Sequence, residues 1–237
     1  MRLARVETPD GLVTGEYRDG AVYADNGVHE ATVEELHPPC EPSALYCVGR
    51  NYAATIDSMG YDVPDEPDFF IKPPASIIGP GDDIPYPTFS EQVTYAGELA
   101  AVVDRRCTDV TPAEVPDVVR GYTVMNDMDA LDQQGRTARK AWDASGPLGP
   151  WVETDVDPVA EPIQMSTDVA DERRQEATTE LMLFDAHEVV SYLSKRFTLR
   201  PGDVVAFGSP DNPGQVEPGD EVAITYEGVG TLRNTIV

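Results

Sequence analysis

Positive charge is scarce in this chain of 237 residues: 17 Lys and Arg stand against 43 Asp and Glu, a formal charge of -26. Lysine occurs only at 72, 140 and 195, and histidine only at 29, 37 and 187. So acidic a surface repels nucleic acid and anionic membrane, which excludes both as partners. The three cysteines, Cys40, Cys47 and Cys107, form no paired framework and lack metal-ligand spacing, so they read as buried free thiols in a reducing compartment. No segment approaches the roughly 20 apolar residues that span a bilayer, and Met1 to Glu7 has no signal-peptide core. Repeats and low-complexity tracts are also missing. The expectation is a cytoplasmic protein, in a high-salt cytoplasm: at molar salt the Debye length of about 3 Å screens the carboxylates from one another. The acids run along the whole sequence rather than in a tail, which argues against an acidic interaction segment.

With 41% hydrophobic residues the chain has enough apolar material for one sizeable core. Residues 1–43 read as a small amino-terminal β subdomain: short strands with turns at Thr8-Pro9-Asp10-Gly11 and Arg18-Asp19-Gly20, a brief helix at Val33 to Leu36, and a stop at His37-Pro38-Pro39. Residues 44–237 read as a second, larger unit. There, Leu45 to Val48, Leu99 to Val103 and Tyr122 to Met125 are continuous apolar runs of strand length, and Glu221 to Tyr226 and Thr231 to Val237 alternate. Asn51 to Met59 reads as a loop entering a short helix. Thr111-Pro112-Ala113-Glu114 is a capping box, with Pro116 limiting the helix it opens; Asp185 caps another that buries Ala186, Val189, Val190, Leu193 and Phe197. The fold class is mixed α/β and strand-rich. His187 beside that cap reads as a solvated surface residue, and no histidine is well placed for catalysis.

Chemistry must then come from carboxylates and a lysine. Glu98 opens one buried run and Asp127 closes another, and an acid at the end of a buried strand is costly unless paired or metal-bound. Two such carboxylates suit Mg²⁺, Mn²⁺ or Ca²⁺, with Lys140 placed to hold a substrate carboxylate. The plainer alternative is that both acids cap loops or pair with Arg and Lys.

The fragments Gly49-Arg50-Asn51-Tyr52, Phe70-Ile71-Lys72-Pro73, Tyr95-Ala96-Gly97-Glu98-Leu99, Gly121-Tyr122-Thr123-Val124-Met125-Asn126-Asp127, Lys140-Ala141-Trp142-Asp143, Gly146-Pro147-Leu148-Gly149-Pro150-Trp151, Leu199-Arg200-Pro201-Gly202-Asp203-Val204 and Gly208-Ser209-Pro210 come in the order and spacing of the fumarylacetoacetate hydrolase family. Over about residues 44 to 237 the chain resembles an acidic, haloarchaeal-type member. The resemblance implies a β-sandwich roll, a homodimer, and Mg²⁺ or Mn²⁺ chelating a small 2-oxo acid. Residue by residue, it implies Glu98 and Asp127 as metal ligands, with Lys140, Gln134 and Ser209 as catalytic groups.

Several positions depart from the family pattern. Its first metal glutamate falls at Ala96, an arginine falls at Leu131, and the histidine and glutamate that activate water fall at Thr55 and Ser58. A missing carboxylate weakens a hard-cation site without abolishing it. A missing general base removes about 10² to 10⁴ in rate. Asp57, Asp129 and Asp132 are the acids near enough to compensate. Three readings stand: a member with an eroded site and weak or no hydrolase activity that retains 2-oxo acid binding; an active metal-dependent hydrolase, decarboxylase or isomerase; and a metal-free site built on Lys140 and Asp127, marked by a lysine pKa lowered through burial.

Overall fold

The structure is a computed structural model that describes residues 1–60, 62–211 and 214–237; of Asp57, Ser58 and Met59 it describes no side chain, so the expectation at Ser58 lies outside the described residues. The strands are β1 (Arg2–Thr8), β2 (Gly11–Arg18), β3 (Ala21–Ala24), β4 (Gly27–Glu30), β5 (Leu36–His37), β6 (Leu45–Gly49), β7 (Asp68–Lys72), β8 (Ile77–Ile78) and β9 (Val93–Thr94). They continue as β10 (Gly97–Val103), β11 (Val119–Asn126), β12 (Asp129–Ala130), β13 (Gly146–Glu153), β14 (Gln164–Val169), β15 (Glu172–Thr178), β16 (Val204–Ala206), β17 (Glu221–Tyr226) and β18 (Gly230–Thr235). Among the described residues the α-helices are short: α1 (Ala53–Met59), α2 (Arg136–Lys140) and α3 (Ala186–Ser194), with 3₁₀ segments elsewhere.

One large sheet runs in the order β4-β3-β2-β1-β13-β11-β10-β16-β6-β7, with β5 beside β1 and β8 beside β13. A second sheet, β15-β14-β17-β18, packs over it. The amino-terminal strands are stitched to the rest through β1 and β13, which pair Arg2 with Glu153 and Leu3 with Val152. They extend the large sheet rather than forming one of their own.

The core follows from strand periodicity. On β10, Leu99, Ala101 and Val103 join the cluster that includes Met165, Val222, Ile224 and α3, while Ala100 and Val102 pack with Leu45, Met125 and Leu148. Both faces of β10 are covered, which is why its sequence is apolar without alternation. Gly97 is required where the sheets approach: a Cβ there would stand 2.6 Å from Thr167 Oγ1 and 3.0 Å from Ile224 Cγ2.

Two helical expectations change in detail. The Thr111 capping box forms, but Pro116 sits inside the segment Pro112–Asp117, which is a 3₁₀ helix rather than α. Asp185 accepts from Glu188 N–H and begins α3 as expected, but the helix ends at Ser194, so Phe197 packs from beyond it. His187 is not solvated: its side chain is 12% exposed and lies 3.4 Å from Asp157 Oδ1. The loop carrying Asp157 covers it.

Candidate active site

Glu98 is the second residue of β10, and Asp127 follows the last residue of β11, its antiparallel neighbour. Asp127 N–H donates to the Ala96 carbonyl at 2.9 Å, so the register brings residue 96 alongside the aspartate. Residues 96 and 98 share one strand face. Both acids line a cavity of about 410 Å³, together with Ala96, Lys140, Asp129, Ser209, Thr55, Leu131, Arg136 and Arg139. Glu98, Asp127 and Lys140, the three residues expected to meet, thus line one cavity.

The charges are arranged unevenly. Glu98 and Asp127 are each 2% exposed. Lys140 Nζ donates to Asp127 Oδ2 and lies 3.2 Å from Asp129 Oδ2. Behind Asp127 stands Lys72, fully buried, with Nζ 2.9 Å from Asp127 Oδ1. Its ammonium donates to the carbonyls of Met128 (3.2 Å), Lys140 and Ser145 (2.9 Å) and to Ser145 Oγ (3.1 Å). Those four acceptors and Asp127 Oδ1 share its three N–H groups, so Lys72 neutralises Oδ1 at close range while anchored to the backbone behind it.

The ionisation states follow. Burial penalises the charge on Asp127, yet Lys140 and then Lys72 hold its carboxyl below the ordinary carboxylate value. Glu98 makes no ion pair of its own: burial, then the charge of Asp127, pushes it up to about 8, and the charge of Lys140 and the Gly208 N–H donating to Oε2 at 3.0 Å offset this only in part. Burial opposes the charge on Lys140 as well, but Asp127 and Asp129 outweigh it and raise the ammonium above its usual value. Lys140 is thus held as a cation, the opposite of the lysine lowered by burial that marks the metal-free reading. The lowered lysine is Lys72, chiefly through desolvation, and it lies behind the cavity wall with every donor spent.

The expected groups do not all arrive. Ser209 lines the cavity, but Gln134 does not; it is exposed in the turn between β12 and α2, ahead of Gly135, whose φ of 83° turns the chain away. Thr55 reaches the cavity, where its hydroxyl donates to the Ser209 carbonyl at 2.9 Å. Leu131 presents a half-exposed apolar side chain to the mouth. Of the acids near enough to compensate, Asp129 lines the cavity and is held by Arg139 in a two-pronged ion pair at 2.8 and 2.6 Å, whereas Asp132 is exposed and accepts from Ser90 Oγ. The side chain of Asp57 is outside the described residues. Sequence reasoning missed Lys72, Asp129 as a partner of Lys140, and Arg136, whose guanidinium grips Asp68 at 2.7 and 2.6 Å on the cavity wall.

The donor set suits a hard divalent cation. Asp127 is a buried carboxylate held ionised by two lysines, and Glu98 is a buried acid raised by burial and by the charge of Asp127. Mg²⁺ commonly takes one or two protein carboxylates and completes its shell with water or substrate. With alanine at 96, no group of three or more His, Cys, Asp or Glu converges on one point among the described residues. The donors fit, as a reduced set of two.

Fold and site together define a strand-rich α/β protein that gathers buried carboxylates and an ammonium at the end of a β-sheet. The family described as fumarylacetoacetate (FAA) hydrolase C-terminal matches residues 44–237. The chain belongs to the fumarylacetoacetate hydrolase family. Among solved structures it is similar to 5-carboxymethyl-2-hydroxymuconate delta-isomerase from Mycobacterium smegmatis, at 37% identity and a TM-score of 0.90 over 100% of this chain and 98% of that one. Fumarylpyruvate hydrolase from Pseudomonas aeruginosa, in complex with Mn²⁺ and pyruvate, is 33% identical with a TM-score of 0.75, covering 83% of this chain and 90% of that one. Oxaloacetate tautomerase YisK of Bacillus subtilis is 34% identical over 85% of this chain and 73% of its own length.

Proposed function

We propose that this chain binds a small 2-oxo acid beside Mg²⁺ or Mn²⁺ and has weak or no hydrolase activity, its remaining competence lying in keto-enol exchange or decarboxylation. The observation that carries this reading is the placement of Glu98, Asp127 and Lys140 on one cavity. Glu98 and Asp127 are the residues to hold the ion. Once bound, a divalent cation polarises the carbonyl and carboxylate oxygens of a chelating 2-oxo acid.

The chain's own residues do the rest. Lys140, pinned by Asp127 and Asp129, presents a fixed positive charge to an anionic oxygen of the substrate. Ser209 offers a hydroxyl on the same cavity. Water activation is what the site lacks: no histidine lines the cavity among the described residues, and the Thr55 hydroxyl already donates to a carbonyl and is no base near neutral pH. Moving a proton between a carbon and an oxygen of a polarised 2-oxo acid asks less of a strong base than attack by water does. The likeness to an isomerase and a tautomerase supports the same emphasis. The rival reading, a fully active acylpyruvate hydrolase, is favoured by the likeness to the Mn²⁺ and pyruvate complex.

Calorimetry with oxalate, which mimics the enolate of a 2-oxo acid, tests the reading. The Mn²⁺-saturated protein is expected to bind oxalate, and Lys140→Met to lose that binding while still taking up Mn²⁺. Oxaloacetate should be decarboxylated or tautomerised, and acylpyruvates hydrolysed about 10² to 10⁴ times more slowly than an intact general base allows. Oxalate failing to bind at saturating Mn²⁺ defeats the 2-oxo acid reading; fast acylpyruvate hydrolysis defeats the eroded-site reading. The proposal also includes the homodimer that the family resemblance implies, which sedimentation velocity checks.

A further inference from the structure

Gln175 is a buried amide whose hydrogen bonds all lead toward the site. It sits on β15, 3% exposed, opposite Thr167. Its Oε1 accepts from Gly97 N–H at 3.2 Å and from Thr167 Oγ1 at 2.8 Å. The two protons on its Nε2 are shared among Ser209 Oγ at 2.9 Å and the carbonyls of Pro210 and Asp211, both at 3.0 Å. Reversing the amide would set its carbonyl against two carbonyl oxygens, so the orientation is fixed by its surroundings.

The two ends of this amide meet the two neighbours of Glu98. Gly97 precedes the glutamate in the chain, and Ser209 follows Gly208, whose N–H donates to Glu98 Oε2. The second sheet gets this close only because residue 97 has no side chain. Gln175 is not among the residues lining the cavity, whereas Ser209 is. An Nε2–H donated to Ser209 Oγ fixes that oxygen as an acceptor and leaves the hydroxyl proton to be donated elsewhere.

We infer that Gln175 is a positioning residue: it reaches from the second sheet to lock the 209–211 segment, so that the Ser209 hydroxyl is held as a donor to an oxygen of the bound 2-oxo acid. This rests on the proposed function above. It adds that the affinity for the organic anion, as distinct from the cation, is set from a residue that touches neither.

The test uses the full chain, wild type and the variants Gln175→Met, Ser209→Ala and the double variant, with Mn²⁺ alone and then oxalate on the Mn²⁺-saturated protein as calorimetric probes. Gln175→Met is expected to leave Mn²⁺ affinity unchanged and to weaken oxalate about tenfold, the scale of one hydrogen bond to a charged group. Ser209→Ala should do the same, and the double variant should be no weaker than Ser209→Ala alone. Additive losses, or Mn²⁺ and oxalate affinities falling together, overturn the assignment in favour of a purely structural role. If Gln175→Met does not fold, Gln175→Glu, which keeps the shape but loses donors, is held to the same criteria. Should the wild-type protein leave oxalate unbound, the functional reading fails by itself, and the crystal structure of the variant decides the rest. A displaced Ser209 Oγ upholds the positioning role, and an unmoved one overturns it.

Discussion

Replacing Glu98 by Gln should stabilise the metal-free protein at alkaline pH and change little at acid pH. The carboxyl of Glu98 ionises near 4.5 ordinarily and is pushed up to about 8 in the fold, by burial first and by Asp127 second. Between those values the folded form keeps a proton that the unfolded chain has released, so stability falls as pH rises through the window. Each pH unit is worth about 1.4 kcal/mol, which gives a cost of roughly 3 to 5 kcal/mol by pH 8 once relaxation is allowed for. For a chain of this size that is on the order of 10 °C in melting temperature. Glutamine is neutral throughout and retains an oxygen for the Gly208 N–H. Melting curves of both proteins in molar KCl with a chelator, from pH 5 to 9, should coincide at the acid end and separate steadily above it. Adding Mn²⁺ at pH 8 should then raise the wild type far more than Glu98→Gln, since only the former offers a second carboxylate. Parallel curves across the whole range, or a wild type that gains on the variant as pH rises, would refute the argument that Glu98 is an uncompensated buried acid.

Restoring a carboxylate with Ala96→Glu should tighten Mn²⁺ about tenfold or more by calorimetry, because residue 96 sits alongside Asp127 in the ladder; an unchanged affinity would mean that residue 96 does not face the cation. Gly97→Ala should cost about 1 to 3 kcal/mol in chemical denaturation, since its Cβ would meet Thr167, Ile224 and Met165 at 3.0 Å or less, and a neutral result would show that the sheets can part. From the charge of -26, dialysis to about 10 mM salt, where the Debye length is about 30 Å, should unfold the protein reversibly, with KCl restoring the circular dichroism spectrum. A spectrum indifferent to salt would remove the argument for a high-salt cytoplasm.

What could be seen in the sequence followed burial. β10 and β11 are covered on both faces and so read as apolar runs, and the acids at their ends were conspicuous because an acid there needs a reason. β13 hid behind its glycines and prolines: Gly146-Pro147-Leu148-Gly149-Pro150 has the composition of a turn, yet every residue from Gly146 to Glu153 is buried in the middle of the large sheet. β15 hid for the opposite reason. Its sequence, Glu172-Arg173-Arg174-Gln175-Glu176-Ala177-Thr178, looks solvated because its innermost position is filled by an amide that finds its partners on other strands. No local pattern announces such partners. The same holds for Lys72, whose acceptors come from residues 128, 140 and 145, and for Gln134, where the family motif predicted a site residue and the local turn sends the side chain outward.

The loss of a glutamate at 96 is best understood through the charges that remain. Glu98, Asp127 and Asp129 are balanced by Lys72, Lys140 and Arg139, so the cluster reaches neutrality from its own side chains. A fourth carboxylate, at 96, would leave it one negative charge in excess and make a cation a condition of folding it without strain. With alanine there, the excess vanishes in sum but not in place. Both lysines pair with Asp127, and Glu98 is left with the Gly208 N–H as its direct donor and the lysines' charge only at longer range. A site so arranged tolerates being without a metal by protonating one acid, and attracts a metal most strongly above the pH at which that proton leaves. Cation affinity should therefore climb through the region around pH 8 at which Glu98 ionises, while oxalate affinity of the metal-loaded form stays flat there, because Lys140 keeps its charge throughout. A Mn²⁺ affinity independent of pH between 6 and 9 would mean that Glu98 is not a ligand, and the reduced two-carboxylate site would have to be abandoned.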